Sequence, residues 1–248
     1  MNDGKVLIVT GGSRGIGAAV SRMAGKAGWR VALSYQSNRE AADCVVSAIK
    51  AEGGEAIAFK ADVGSEAEIL ALFSAVEARW GRLDGLVNNA GIVGHKQRVE
   101  DMTVSRLEEM MRVNVIGTML CAREAVKRMS TGSNGGVIVN LSSVAAKLGS
   151  PNEYVDYAAS KGAVDSFTKG LALEVAGDGI RVNAVRPGII DTEIHASGGQ
   201  PDRVERLRGH LPLKREGKAD EVAEVVLFLL SDASSYVTGT LVDVAGGR

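Results

Sequence analysis

The 248 residues carry a formal charge of −1, with 29 Lys and Arg against 30 Asp and Glu. That balance leaves no basic excess for nucleic acid or an anionic membrane. Apolar residues at 45% and charged residues at 24% exclude a disordered chain, and the length is ample for a sizeable core.

The chain opens on KVLIVT (5–10), an apolar run too short for a secretory segment and readable as a strand. A helical pattern follows over 15–28, then the strand RVALS (30–34) and a helix over 39–52. EAIAFK (55–60), a helix over 66–80, RLDGLVN (82–88) and a long helix over 104–129 continue the rhythm. GVIVNL (136–141), a helix over 153–176, IRVNAV (180–185), a helix over 219–231 and TLVDV (240–244) complete it. Most of these strands are nearly continuous apolar runs, as in parallel strands covered on both faces. Strand–helix alternation at this spacing predicts a doubly wound α/β fold with right-handed crossovers. No repeat or Pro-rich linker divides the chain, so residues 1–248 read as one domain.

One stretch breaks the rhythm: from Asp191 to Pro212 the chain is polar, with Gly198-Gly199 and several arginines. An insertion after the sixth strand, at the carboxyl edge of a sheet, is where a substrate lid belongs, and 191–213 is expected to be one. The longest apolar run, Val225 to Leu230, falls far short of the roughly 18 residues of a membrane span. Cys44 and Cys121 read as buried thiols in a reducing compartment, and His95, His195 and His210 are too scattered for a metal site. A soluble, cytoplasmic protein without a metal is expected.

After the first strand, TGGSRGIG (10–17) places four glycines in eight residues and opens a helix. Glycines there permit a tight turn and a close backbone approach to a pyrophosphate, which the helix N-terminus attracts. A NAD-preferring site offers a carboxylate to the ribose about 20 residues further on. WRVALSYQSNR (29–39) has no acid, and Tyr35 stands where the carboxylate is expected. Arg14 and Arg39, with Ser37 and Asn38, suit a 2′-phosphate instead, so NADP(H) is expected over NAD(H).

Further along, NNAG (88–91) ends the fourth strand, Asn114 sits inside an apolar helical stretch, and Ser142 and Ser143 end the fifth strand. Tyr157 and Lys161 are four apart and share a helix face, whereas Tyr154 lies two turns from the lysine. Geometry therefore selects Tyr157. A phenol's pKa of about 10 is too high for a base at neutrality, and a neighbouring ammonium is expected to lower it.

In order and approximate spacing, TGGSRGIG, Asp62, NNAG, Asn114, Ser143, YAASK and PGIIDT (187–192) resemble the short-chain dehydrogenase/reductase family. The resemblance covers nearly the whole chain. It implies a single Rossmann-like domain with a seven-stranded parallel sheet, a homotetramer, a small carbonyl or alcohol substrate, and catalysis by Asn114, Ser143, Tyr157 and Lys161. Tyr157 would be general acid in reduction and general base in oxidation, with Lys161 also holding the nicotinamide ribose. Cofactor contacts would come from Gly11, Ser13, Arg14, Gly15, Ile16 and Gly17, and from Tyr35, Ser37, Asn38 and Arg39. Asp62, Val63, Asn89, Ala90, Gly91, Pro187, Gly188, Ile190 and Thr192 would complete the set, with Tyr157 and Lys161.

The spacing departs from the pattern, because relatives place the serine one residue nearer the tyrosine than the 14 that separate Ser143 from Tyr157. An extra residue in KLGSPNEY accounts for this and keeps Ser143, with Ser142 the other register. The subfamilies it looks like are 3-oxoacyl-carrier-protein reductases and glucose 1-dehydrogenases. Leu173, in LALE, stands where carrier-protein reductases commonly have an arginine, and Lys127–Arg128 is the remaining basic patch. A catalytically silent nucleotide-binding regulator and a purely structural oligomer are the rivals. The first would be favoured by a lost Tyr or Lys, and the second would not need the glycine loop.

Overall fold

The computed structural model describes residues 4–131 and 135–248, apart from the side chains of 130 and 131. In chain order the elements are β1 (Val6–Val9), α1 (Gly15–Lys26), β2 (Arg30–Tyr35), α2 (Arg39–Ala51), β3 (Glu55–Lys60) and α3 (Glu66–Trp80). Then come β4 (Gly85–Asn88), α4 (Val104–Met111), a π-helical turn (Arg112–Gly117), α5 (Thr118–Thr131), β5 (Gly136–Leu141) and α6 (Ala145–Leu148). α7 (Val155–Glu174), β6 (Ile180–Pro187), β7 (Ile190–Asp191), α8 (Ile194–Ser197) and α9 (Arg203–Arg208) follow. β8 (Gly217–Lys218), α10 (Ala219–Leu230) and β9 (Leu241–Val244) complete the order.

Seven strands form one parallel sheet in the order β3-β2-β1-β4-β5-β6-β9. The apolar runs alternate faces. Leu7, Val9, Val31 and Leu33 pack under α1, α2 and α10, while Val6, Ile8, Ala32 and Leu86 pack under α3, α5 and α7. Both faces are covered, so every second residue is apolar and so is the one between. This is the doubly wound architecture that the alternation predicts.

Local chemistry sets the helix ends. Asn38 accepts from Ala41 N at the start of α2, Ser65 from Glu68 N at α3, and Thr103 from Arg106 N at α4. Gly81 ends α3 in the left-handed conformation, with φ 70°. Three departures from expectation appear. The long helix is broken by the π turn, a two-strand ribbon, β7 with β8, brackets the 191–213 stretch, and Cys44 is exposed. Cys44 lies off the Ala42, Val45 and Ile49 stripe by which α2 docks, so only Cys121 is a buried thiol, pushed up to about 12 by burial. Among the described residues no helix is long and apolar enough to cross a membrane, and no cluster of His, Cys, Asp and Glu could hold a metal ion.

Candidate active site

The sheet order reverses between β1 and β4, and ligands of open α/β sheets bind outside the strand ends at such a point. A cleft of about 570 Å³ lies there. Its floor is the glycine loop, in which Gly11 (φ 62°) and Gly15 (φ 50°) adopt backbone conformations that a side chain would strain. A Cβ on Gly17 would strike Gly11 O and the Asn89 amide, which is why the helix can start so close to β4. α1 has no capping side chain and no acid in its first turn. Its leading N–H groups therefore keep their positive field for an anion. The NNAG turn is tied to this floor. Asn89 Nδ2 donates to Thr10 O (3.0 Å) and Gly11 O (2.9 Å), and Thr10 Oγ1 accepts from Asn89 N and Ala90 N.

Ile16, Asn89, Gly91, Val93 and Thr192 line both this cleft and an inner cavity of about 150 Å³, so the two spaces join. Tyr157, Ser143 and Lys161 line the inner cavity. The Ser143 side chain acts on the Tyr157 phenol, favouring its ionisation, and its oxygen accepts from Ala145 N at 3.1 Å. Ser142 is buried and donates to Lys161 O at 3.2 Å, a helix-anchoring contact. Buried Lys161 stands 5.7 Å from the Tyr157 ring centroid and donates to Leu141 O at 2.7 Å. Burial pushes its ammonium down to about 8, against the opposing charge of Asp165. Burial pushes the phenol up, and the Ser143 hydrogen bond and the Arg203 charge offset only part of that. The lysine expected to depress the phenol is not among the influences on it, and desolvation dominates in this structure.

Asn114 is fully buried in the π turn, and its Nδ2 reaches back one turn to Met110 Sδ at 3.0 Å. Its Oδ1 accepts from Ile92 N (2.8 Å), and its Nδ2 donates to Ile92 O (3.0 Å) and Ser160 Oγ (3.1 Å). It thus joins the segment after NNAG to α7. Gly117 ends the same turn against Val63 O, too close for a side chain.

A family profile described as enoyl-(acyl carrier protein) reductase matches residues 11–248. The chain is 52% identical over 245 residues to the uncharacterized oxidoreductase YgfF of Escherichia coli (strain K12), covering 98% of this chain and 99% of that one. It is 38% identical over 244 residues to glucose 1-dehydrogenase 2 of Bacillus subtilis (strain 168), covering 98% and 94%. A short-chain type dehydrogenase/reductase from Mycobacterium marinum superposes with a TM-score of 0.94 at 33% identity, covering 99% and 95%. The chain belongs to the short-chain dehydrogenase/reductase family. It is thereby an oxidoreductase fold that takes a small-molecule substrate and a nicotinamide cofactor, NAD or NADP.

The cleft of this family member fits such a cofactor: its floor is a cradle that Cβ atoms would fill, beneath an uncapped helix start. Ser13, Arg14, Gly15 and Ile16 line it, as do Tyr35, Ser37, Asn38, Asp62, Val63, Asn89, Ala90 and Gly91. Pro187, Gly188 and Ile190 line the inner cavity, and Thr192 touches both spaces. Two residues stand differently. Asn38 spends its side-chain oxygen on the α2 cap, and Arg39 sits outside the cleft wall, 3.4 Å from Asp43 on the exposed first turn. Asp62 is held by Gly64 N (2.8 Å) and Arg112 (3.4 Å).

Lys127 and Arg128 do not form an open basic patch, since both pair with Glu124 at 2.9 Å. Burial raises that carboxyl, but hydrogen bonds from Lys127, Arg128 and Arg123 outweigh it and hold it at about 2. Sequence reasoning missed Arg203, Gln200 and Arg248. Gln200 Nε2 contacts the Tyr154 hydroxyl, Arg203 covers the Tyr154 ring at 5.1 Å, and Arg248 lines the inner cavity. For Gln200 and Arg203 the only sequence signal is the arginine-rich polar stretch 191–213, and Arg248 has none.

Proposed function

We propose that the chain is an NADP(H)-dependent oxidoreductase that interconverts a ketone and a secondary alcohol, with Tyr157 as general acid/base. The observation that carries this reading is that Tyr157, Ser143 and buried Lys161 line one cavity that opens from the glycine cleft, with Lys161 beside the Tyr157 ring. Because burial keeps the phenol protonated, Tyr157 is poised to donate to a carbonyl oxygen. Ser143 accepts from Ala145 N, which aims its one hydroxyl proton at Tyr157 or at a substrate oxygen as charge develops. When bound, the nicotinamide supplies or takes up the hydride, and its oxidised ring adds positive charge beside the phenol. Lys161 is suited to hold ribose hydroxyls, and Asn114 fixes the wall opposite through Ile92.

Arg14 carries the NADP preference. It is exposed on the cleft wall and has no ion-pair partner among the described residues, with Ser37 nearby and no acid in 29–39. Arg39 is the secondary contact, since it would first leave Asp43. The whole chain acts as one unit in which 191–213 covers the cavity. Exposed Val104, Leu107, Met111, Ile116 and Met119 support association of copies, in keeping with a cytoplasmic homotetramer. Among the specific activities, a sugar dehydrogenase draws support from the Bacillus subtilis relative, whereas a carrier-protein reductase loses its basic patch to Glu124. Intact Tyr157 and Lys161 disfavour a silent regulator.

The test is oxidation of NADPH with a simple diketone. Tyr157→Phe should lower kcat by ~10²–10⁴ while NADPH binding, read by fluorescence, is retained. Tyr154→Phe should be mild. A Tyr157→Phe variant keeping more than about a tenth of wild-type kcat would sink the assignment.

A further inference from the structure

The inner cavity holds more positive charge than proton transfer at Tyr157 requires. Its walls include Lys161, His195, Arg203 and Arg248 but no Asp or Glu, and the rest is largely apolar, as at Leu148 and Ile189. Arg203 is only 7% exposed. Its Nη1 stands 2.6 Å from Glu153 Oε2 in an ion pair without hydrogen-bond alignment, and it has no hydrogen-bonded acceptor. A buried guanidinium nitrogen left so is costly and is seldom found without a purpose. Arg248 faces the same space, and its side chain has no acceptor among the described residues. The charges interact. Burial is the largest influence on Arg248, His195 and Tyr157, and beyond it the Arg203 charge pushes each of them down. Glu153 is the one carboxylate that offsets Arg203 at Arg248. His195, lowered mainly by burial, contacts Ile190 O through Nε2 and adds no firm charge. Two guanidinium groups line this cavity, and the one carboxylate side chain set against them is that of Glu153.

We propose that these two guanidinium groups are for the substrate, which is a small oxo acid: its carboxylate pairs with Arg203 and Arg248 while its ketone faces Tyr157 and Ser143. This rests on the ketone-reductase reading above and names the substrate class for it. The planar fork of a guanidinium matches the two carboxylate oxygens, and of the two arginines buried Arg203 is the less screened. The cavity of about 150 Å³ limits the acid to a few carbons. The reaction balances with NADPH and one solvent proton: hydride goes to the carbonyl carbon, the Tyr157 proton goes to the oxygen, NADP⁺ and a hydroxy acid leave, and solvent reprotonates Tyr157.

Acetoacetate and levulinate, each beside its methyl ester, test this with NADPH as reductant. The acid should exceed its ester in kcat/KM by ~10-fold or more, mostly through KM. Arg248→Met and Arg203→Lys should each bring that ratio towards one, the second because the fork is lost while the charge stays. Melting temperature checks that both variants fold, and Arg248, being exposed, keeps the test alive if Arg203→Lys does not. Esters reduced as well as or better than the acids, or a ratio unmoved by Arg248→Met, would overturn the oxo-acid assignment while leaving the reductase reading intact. Calorimetry of the NADPH complex separates the reverse case. An acid that binds in an Arg248-dependent way without turnover would overturn the reductase reading and support the carboxylate site. Neither binding nor turnover by any of the four compounds would overturn both.

Discussion

The glycine cleft and the inner cavity meet at Gly91 and Thr192, yet they are assembled by different means. The cleft is made of backbone. Its shape follows from glycines whose absent side chains let β1, α1 and the NNAG turn touch, and from main-chain groups bonded to Thr10 and Asn89. The cavity is made of side chains brought from far apart in sequence: Tyr157 and Lys161 from α7, Ser143 after β5, Arg203 from α9 and Arg248 beyond β9. Its roof is held by contacts such as Glu153–Arg203 and Tyr154–Gln200. A backbone site binds a constant part of a ligand, whereas a side-chain site can change its ligand one residue at a time.

If this division is real, substitutions should separate by region. Ser143→Ala should lower kcat/KM by ~10²–10³ as a lost oxyanion-type donor, while Ser142→Ala, whose hydroxyl only anchors Lys161 O, should cost far less. The reverse ranking in steady-state kinetics would place the reacting oxygen at Ser142. Gly17→Ala should weaken NADPH and NADH alike by ~1–3 kcal/mol, the usual cost of forcing a methyl into packed space. Dissociation constants unchanged by that methyl would mean the floor is not a tight cradle.

Within the cleft, Arg14→Met should reduce the preference for NADPH over NADH by ~10-fold, as one charge-assisted contact is worth roughly 1.5–3 kcal/mol before screening. Equal affinities for the two cofactors in the unaltered protein would remove Arg14 from the argument.

Stability should also respond to the buried lysine. Lys161 titrates at about 8 when folded against 10.5 unfolded, so the unfolded chain holds the proton longer. Stability should therefore rise with pH between those values, relative to Lys161→Met, by at most about 1.4 kcal/mol per pH unit for one proton. Tyr157, raised above 10.0, opposes the trend only beyond that pH. Urea titrations at a series of pH values read the slope, and a flat difference would show that Lys161 is not desolvated.

The same division explains what could be read from the sequence. The seven sheet strands, the glycine floor and the Tyr157–Lys161 pair are legible because each is a local pattern: an apolar run, a glycine cluster, a spacing of four. The extra residue in KLGSPNEY is visible as an arithmetic misfit. In the structure that loop holds three left-handed residues, Gly149, Ser150 and Asn152, and leaves Ser143 in contact with Tyr157. Arg39 stands away from its expected place because composition cannot show which way the first turn of α2 points. Arg203 and Arg248 carry no local pattern, since only folding brings α9 and the stretch after β9 to one cavity. The π turn is invisible to a 3.6-residue period, which simply runs through it.

That turn, Arg112–Gly117, makes α4 and α5 two helices out of phase. One additional residue in a turn rotates all that follows by about 100° about the axis. The angular offset lets Asn114 reach inward to Ile92 while Cys121, Ala122 and Ala125 of α5 still meet the core. Deleting a single residue there would straighten the rod and restore its backbone bonding. It would also swing one half of the rod off its footing, so the polar anchor and the packed stripe can be kept together only by a helix that is locally mis-wound.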